Sequence, residues 1–144
     1  MKYLAIDYGQ KRVGIAVSDA GGHMAFPKIT LERGEQNVFF RKLLDLIAEE
    51  KADAVILGLP FNLDNEETEA GARVRTFAKR LSEHVAQPIY LVNEALTSFA
   101  AEEDLKEAGL NAKRRAEVLD QQAAVHILET FMNTPTYKQV KYEP

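Results

Sequence analysis

The stretch YLAIDYGQKRVGIAVSD, residues 3–19, decides how the rest of the chain is read. Two apolar runs, Tyr3–Ile6 and Val13–Val17, flank a turn containing Gly9, which is the pattern of an antiparallel hairpin. Asp7 falls at the tip of the first strand. Asp suits a strand interior poorly, but at a strand end its carboxylate projects over the sheet edge, within reach of a cation or polar substrate. Lys11 and Arg12 lie across the turn. An acid able to hold a metal and two bases able to hold an anion therefore share one rim, which suits a phosphate substrate. A plain solvated turn uses the same residue types, so the remaining chain has to separate the two readings.

Outward from the hairpin, the period of the apolar residues changes twice. Residues 25–31 are β-prone, with Pro27 marking an edge or entry position, and read as a third antiparallel strand. From Gln36 to Glu50, Phe39, Phe40, Leu43, Leu44, Ile47 and Ala48 fall on one helical stripe. Ala54–Leu57 is a continuous apolar run ending at Gly58, as in a strand covered on both faces and parallel to the first. The loop after it carries Asn62 and Asp64 at a carboxyl strand end, where open α/β sheets place ligands, although turns that start helices use the same residues. A helix over residues 65–84 and a short strand, Ile89–Val92, follow, and the strand delivers Asn93 and Glu94 at its tip.

Thr97 or Ser98 then caps a helix to Ala108 with Gly109 as terminator, and Asn111–Arg115 reads as a basic connector. In the last helix, Arg114–Met132, the inward stripe of Ala116, Ala123, Ile127 and Phe131 passes through Asp120. An acid on such a stripe is an edge residue, a buried hydrogen-bond anchor, or a metal or catalytic carboxylate. His126 falls on the opposite, polar face and reads as a surface histidine. Residues 1–132 read as a single domain, and 133–144 as an extended or fraying tail.

Composition bounds the class. A chain of 144 residues buries about two-thirds of its unfolded surface without a covalent staple. It has no cysteine, which excludes disulfides and thiolate metal sites. With no signal-like apolar start and no run of membrane-spanning length, the expectation is a cytoplasmic protein. The net charge of −4 excludes a global basic field, so any nucleic-acid contact must rest on local patches.

A first strand paired with both its hairpin partner and the Ala54–Leu57 strand would be central, bringing Asp7, Glu94 and Asp120 toward one edge. Clustered carboxylates raise one another's proton affinity unless cations neutralise them. Magnesium or manganese, hard ions that take oxygen ligands and bind phosphate, are the natural partners.

Ile6-Asp7-Tyr8-Gly9 with Lys11, Arg12 and Gly14, then Ser18-Asp19, Gly58-Leu59-Pro60 with Asn62, Glu94 with Leu96-Thr97, and Asp120 with Ala123-Ala124 and Ile127-Leu128 occur in an order and spacing that resembles the YqgF/RuvX family. Members of that family are described as Holliday-junction resolvases and, in bacteria, as nucleases maturing pre-16S rRNA. The resemblance covers most of the chain, from Leu4 to Phe131. It implies a ribonuclease H-like fold: a mixed five-stranded sheet, three antiparallel strands then two parallel, flanked by helices. It also implies Asp7, Glu94 and Asp120 as catalytic, metal-holding carboxylates. The implied mechanism is two-metal phosphodiester hydrolysis, with ions roughly 4 Å apart. Lys11, Arg12 and Asn62 would bind substrate, and Lys113–Arg115 would extend that track.

The family commonly has Asp-Glu-Arg where this chain has Asn93-Glu94-Ala95. Glu94 keeps the ligand set complete, whereas Ala95 removes an arginine contact and Asn93 a negative charge. Either departure would alter substrate preference or weaken catalysis, and the function the resemblance implies is pre-16S rRNA 5′-end maturation by a magnesium- or manganese-dependent endonuclease. Structured RNA is the expected partner, the alternatives being branched DNA or a catalytically weak nucleic-acid-binding factor. Ribosomal precursor particles are a further expected partner, with the chain as monomer or homodimer. An actin-like ATPase also starts with an Asp-bearing hairpin, but needs a second copy of the domain that this length does not hold.

Overall fold

The computed structural model describes residues 1–61, 68–95 and 111–144. Asn62 and Asp64, and the helix expected from Thr97 or Ser98 to Ala108, lie outside the described residues. The elements are β1 (Tyr3–Tyr8), β2 (Arg12–Ser18), β3 (Ala25–Glu32), α1 (Gln36–Glu49), β4 (Ala54–Phe61), α2 (Glu69–Ser82), β5 (Ile89–Ala95), α3 (Ala112–Met132), a 3-10 turn (Thr136–Lys138) and β6 (Val140–Lys141).

They build one mixed sheet in the order β3-β2-β1-β4-β5-β6. β1 pairs antiparallel with β2 and parallel with β4, which makes it central, and β5 adds parallel to β4. The expected order of three antiparallel strands followed by two parallel ones therefore holds. The tail adds a sixth strand: Val140 and Lys141 pair antiparallel with Leu91 and Tyr90, and the Tyr142 N–H donates to the Ile89 carbonyl at 2.7 Å. Two residues are too short to announce a strand by alternation, and the open edge of β5 selects them.

The period of two along each strand sorts large from small side chains. Leu4, Ile6, Val13, Ile15, Val55, Leu57 and Leu59 face α1 and α2, where they meet Phe39, Phe40, Leu43, Val74 and Phe77. Ala5, Ala16, Ala54 and Ile56 face the other way, toward Ala124, Ile127, Leu128 and Phe131 of α3. Fully burying each large aliphatic side chain is worth about 2 kcal/mol, so both layers are anchored by their apolar stripes. Small residues on the α3 face let that helix approach closely. Its buried stripe keeps Ile127 and Phe131 as expected and adds Ala124 and Leu128, while Ala123 is only half-buried.

Capping follows local chemistry. The Glu35 carboxylate accepts from the N–H groups of Asn37 and Val38 to start α1, and Thr68 Oγ1 accepts from Gly71 N–H to start α2. Asn111 accepts from Arg114 N–H, so Lys113–Arg115 form the first turn of α3 and not a connector. Ser18-Asp19 is used structurally: Ser18 Oγ accepts from Tyr3 N–H at 2.8 Å, and Asp19 Oδ1 accepts from His23 and Met24 N–H groups. Among the described residues no helix is long and apolar enough to cross a membrane.

Candidate active site

Strand alternation decides which face the acids take. Ala5 and Ala16 point to α3, so Asp7, two residues after Ala5, and Gly14, two before Ala16, point there as well. By the same count Gly58, two after Ile56, and Glu94, two after Val92, belong to that face. Glycine clears space on both flanks of Asp7. A Cβ on Gly14 would lie 1.9 Å from the Asp120 carbonyl oxygen, and one on Gly58 would lie 2.4 Å from Ile127 Cδ1 and 3.4 Å from Glu94 Cγ. The absent side chains let α3 lie directly on β2 and β4.

Helix α3 runs obliquely across the sheet. Near its start, Thr30 Oγ1 donates to the Glu117 carbonyl at 2.8 Å and Gln121 Nε2 donates to Thr30 Oγ1 at 3.1 Å. Near its end, Phe131 packs edge-on against Tyr3 and tilted against Tyr90. Asp120 thus stands over β2 and His126 over the tip of β5.

The three acids respond to this setting. Burial, then the charge of Asp120, lifts the Asp7 carboxyl from 3.8 to about 6. Burial also raises Glu94, opposed by His126 and reinforced by Asp7. Asp120 is raised by burial against the hydrogen bond and charge of Arg12. Each carboxylate is therefore partly withdrawn from water. Asp7 feels the charge of Asp120 and Glu94 feels that of Asp7, the condition under which a cation is most strongly attracted.

Two of the acids have a basic neighbour. Arg12 Nε donates to Asp120 Oδ2 at 2.8 Å, and this bond raises the guanidinium's own proton affinity. Sequence pattern assigns Arg12 to phosphate, and here it reaches across the face to a carboxylate 108 positions later. His126 Nε2 lies 3.8 Å from Glu94 Oε1. The surface reading of His126 holds for its exposure, but its position beside Glu94 has no signal in the sequence. An amphipathic pattern reports a helix's burial and not which strand an oblique helix meets.

Among the described residues no three acidic or histidine side chains form a closed ligand set for a metal. Arg12 and His126 lie beside two of the three. The donor chemistry nonetheless fits a hard divalent cation, since all three acids supply oxygen and Asp7 is withdrawn beside the Asp120 charge.

The basic residues divide between the hairpin tip, on the side of α1, and the start of α3. Lys11 is exposed at the hairpin tip, where it lines a shallow depression of about 400 Å³ with Gln10, Glu32, Arg33 and Gln36. Arg33 is locked at that tip: its Nη1 donates to the Gly9 carbonyl at 3.0 Å and its guanidinium lies 4.4 Å over the Tyr8 ring. Tyr8 in turn stacks on Phe77 at 4.1 Å. Lys113 and Arg114 are exposed on the first turn of α3.

A family model described as RuvX, Holliday junction resolvase, matches residues 1–134. The chain belongs to the RuvX family. It is 48% identical to a protein of Oleidesulfovibrio alaskensis over 99% of both chains, and 49% identical to one of Nitratidesulfovibrio vulgaris strain DP4 over 94% of this chain and 95% of that one. Both relatives carry the name "Putative pre-16S rRNA nuclease". Among solved structures, the fold superposes on T. thermophilus RuvC in complex with a Holliday junction substrate, with a TM-score of 0.62, 14% identity and 99% of each chain covered. RuvX membership and this likeness agree with the ribonuclease H-like topology of β1 to β5.

Proposed function

We propose that this RuvX protein is a divalent-metal-dependent endonuclease that hydrolyses phosphodiester bonds in structured RNA, with the 5′ end of pre-16S rRNA as its target. The observation that carries the reading is Asp7, withdrawn from water on the central strand, on a face cleared by Gly14 and Gly58 and beside the charge of Asp120. The names of the relatives support the substrate class. The work would take place in the cytoplasm, on ribosomal precursors.

Asp7, Glu94 and Asp120 would hold magnesium or manganese. Bound there, divalent ions supply an activated water and stabilise charge on the leaving oxygen. Asp7, rooted on the rigid central strand, anchors the reacting edge. Glu94 approaches from β5, and Asp120 is positioned by the backbone of α3 resting on Gly14. Lys11 at the hairpin tip and Lys113 and Arg114 at the start of α3 supply local positive charge for the phosphate backbone, which a chain of net charge −4 needs in patches. Asn62, which follows β4 in the sequence, would join them.

Resolution of a four-way DNA junction is the second reading, favoured by the family description. Two symmetric cuts would then require two copies of the chain. The test compares wild type with Asp7→Asn on a structured rRNA precursor and on a four-way junction, each with and without manganese. Metal-dependent cutting of RNA that disappears in the variant supports the proposal. Cutting of the junction alone moves the assignment to the second reading, equal cutting by both proteins would mark a contaminant, and binding without cutting would leave a binding factor.

A further inference from the structure

The geometry points to Arg12 as an exchangeable counter-ion: it occupies Asp120 until a divalent cation binds, and is then released to the substrate phosphate. This rests on the reading of Asp120 as a metal-holding carboxylate.

The bond itself is short and direct, with Nε to Oδ2 at 2.8 Å. The two partners differ in freedom. Asp120 belongs to a helix whose backbone rests against Gly14 at the Asp120 carbonyl, and whose neighbouring turns are tied to Thr30 through Glu117 and Gln121. Its backbone cannot retreat without lifting α3 from β2, so the carboxylate stays on this edge. Arg12 begins β2 at the hairpin, with a long side chain one-third exposed against 21% for Asp120. When the two separate, the arginine is the partner that moves.

A guanidinium and a divalent ion on the same carboxylate repel one another, so each weakens the binding of the other. Glu32, which pairs with Arg12 across β2 and β3, and Glu117 also face the guanidinium and keep it on this rim when it leaves Asp120. Lys11 is its chain neighbour. An arginine released here stands at the edge where the phosphate backbone is expected, and its planar fork suits two phosphate oxygens. Metal binding thus arms the substrate contact, and a metal-free site keeps its arginine occupied. Arg12 is a positioning residue in the first state and a substrate contact in the second.

The test measures manganese binding by electron paramagnetic resonance of the free ion, without nucleic acid, for wild type, Arg12→Gln, Arg12→Lys and Glu94→Gln. Removing the resident cation should tighten manganese binding by about five-fold, while Arg12→Lys, which keeps the charge, should stay near wild type. In parallel, the Arg12 Nε–H resonance should be protected from exchange in EDTA and lose that protection when magnesium is added. Unchanged or weaker manganese binding by Arg12→Gln overturns the exchange and leaves Arg12 a structural clamp. So does an Nε–H that stays protected with magnesium bound. Absence of manganese binding by wild type refutes the site reading as well. Binding by wild type that is lost in Glu94→Gln upholds the metal site, so that a failure of the Arg12→Gln arm then refutes the exchange alone. Should Arg12→Gln fail to fold, the resonance measurement on wild type decides.

Discussion

Gly14→Ala is the sharpest test of how the site is positioned. A Cβ at this position would stand 1.9 Å from the carbonyl oxygen of Asp120 and 2.3 Å from its carbonyl carbon, about 1.5 Å short of ordinary contact. The obstacle is helix backbone, so no rotamer change relieves it, and α3 must lift from β2. Overpacking of this kind costs about 1–3 kcal/mol, and a backbone clash belongs at the upper end. For a domain of this size about 3 kcal/mol corresponds to a fall in Tm of roughly 10 °C. The same lift stretches the 2.8 Å bond from Arg12 and carries Asp120 away from Asp7. Nuclease activity should therefore fall further than the folded fraction does. Gly58→Ala is the internal control. Its nearest obstacles, at 2.4 and 2.9 Å, are Ile127 Cδ1 and Cγ1, side-chain atoms and not helix backbone, so a smaller loss, about 1 kcal/mol, is expected. Urea unfolding with slopes compared among the three proteins measures both costs. Gly14→Ala within about 0.5 kcal/mol of wild type, or less costly than Gly58→Ala, would refute the close approach of α3 as the device that sets Asp120.

Three further outcomes follow from the same geometry. Asp7 is held near 6 by burial and Asp120, above its unfolded 3.8, so the folded state binds this proton more tightly and stability falls as pH rises from about 4 through 6. Asp7→Asn in EDTA should accordingly be more stable than wild type at pH 7.5, by up to about 3 kcal/mol, and level with it at pH 3.5; thermal melts at both values check this, and a less stable variant at pH 7.5 would make Asp7 a structural anchor. His126→Ala should leave stability nearly unchanged, since 63% of the side chain is exposed, but remove the influence that lowers Glu94, moving the acidic limb of the pH–rate profile upward; a limb that stays in place counts against any coupling of the two. Arg33→Ala removes the bond to the Gly9 carbonyl and the cation above Tyr8, and should cost about 1–2 kcal/mol in urea unfolding without changing manganese binding.

The elements of the fold are legible in the sequence because their signals are local. Two short apolar runs on either side of a turn mark β1 and β2, the stripe from Phe39 to Ile47 marks α1, and the continuous run Ala54–Leu57 marks a strand covered on both faces. The placement of Asp7 at a strand tip comes from the same short-range pattern, and Glu94 and Asp120 stand out as acids at a strand end and on an apolar stripe. Two residues near the end of the chain form β6 only because β5 leaves an edge open, which no pattern of two residues can announce.

What the chain alone determined is which residues alternate, which stripe is apolar and where the acids fall along each element, because these depend on backbone periods of 2 and 3.6. What only the tertiary structure decided is who meets whom. Gly14 enters the sequence only as one position of a motif, and its role in admitting α3 appears when the helix is laid on it. Arg12 reads as a phosphate ligand until Asp120, 108 positions away, is brought to 2.8 Å, and His126 as plain surface until it stands beside Glu94. These pairings depend on the angle at which one helix crosses one sheet, and that angle is set by the small residues beneath it and by the many side chains that pack around it together.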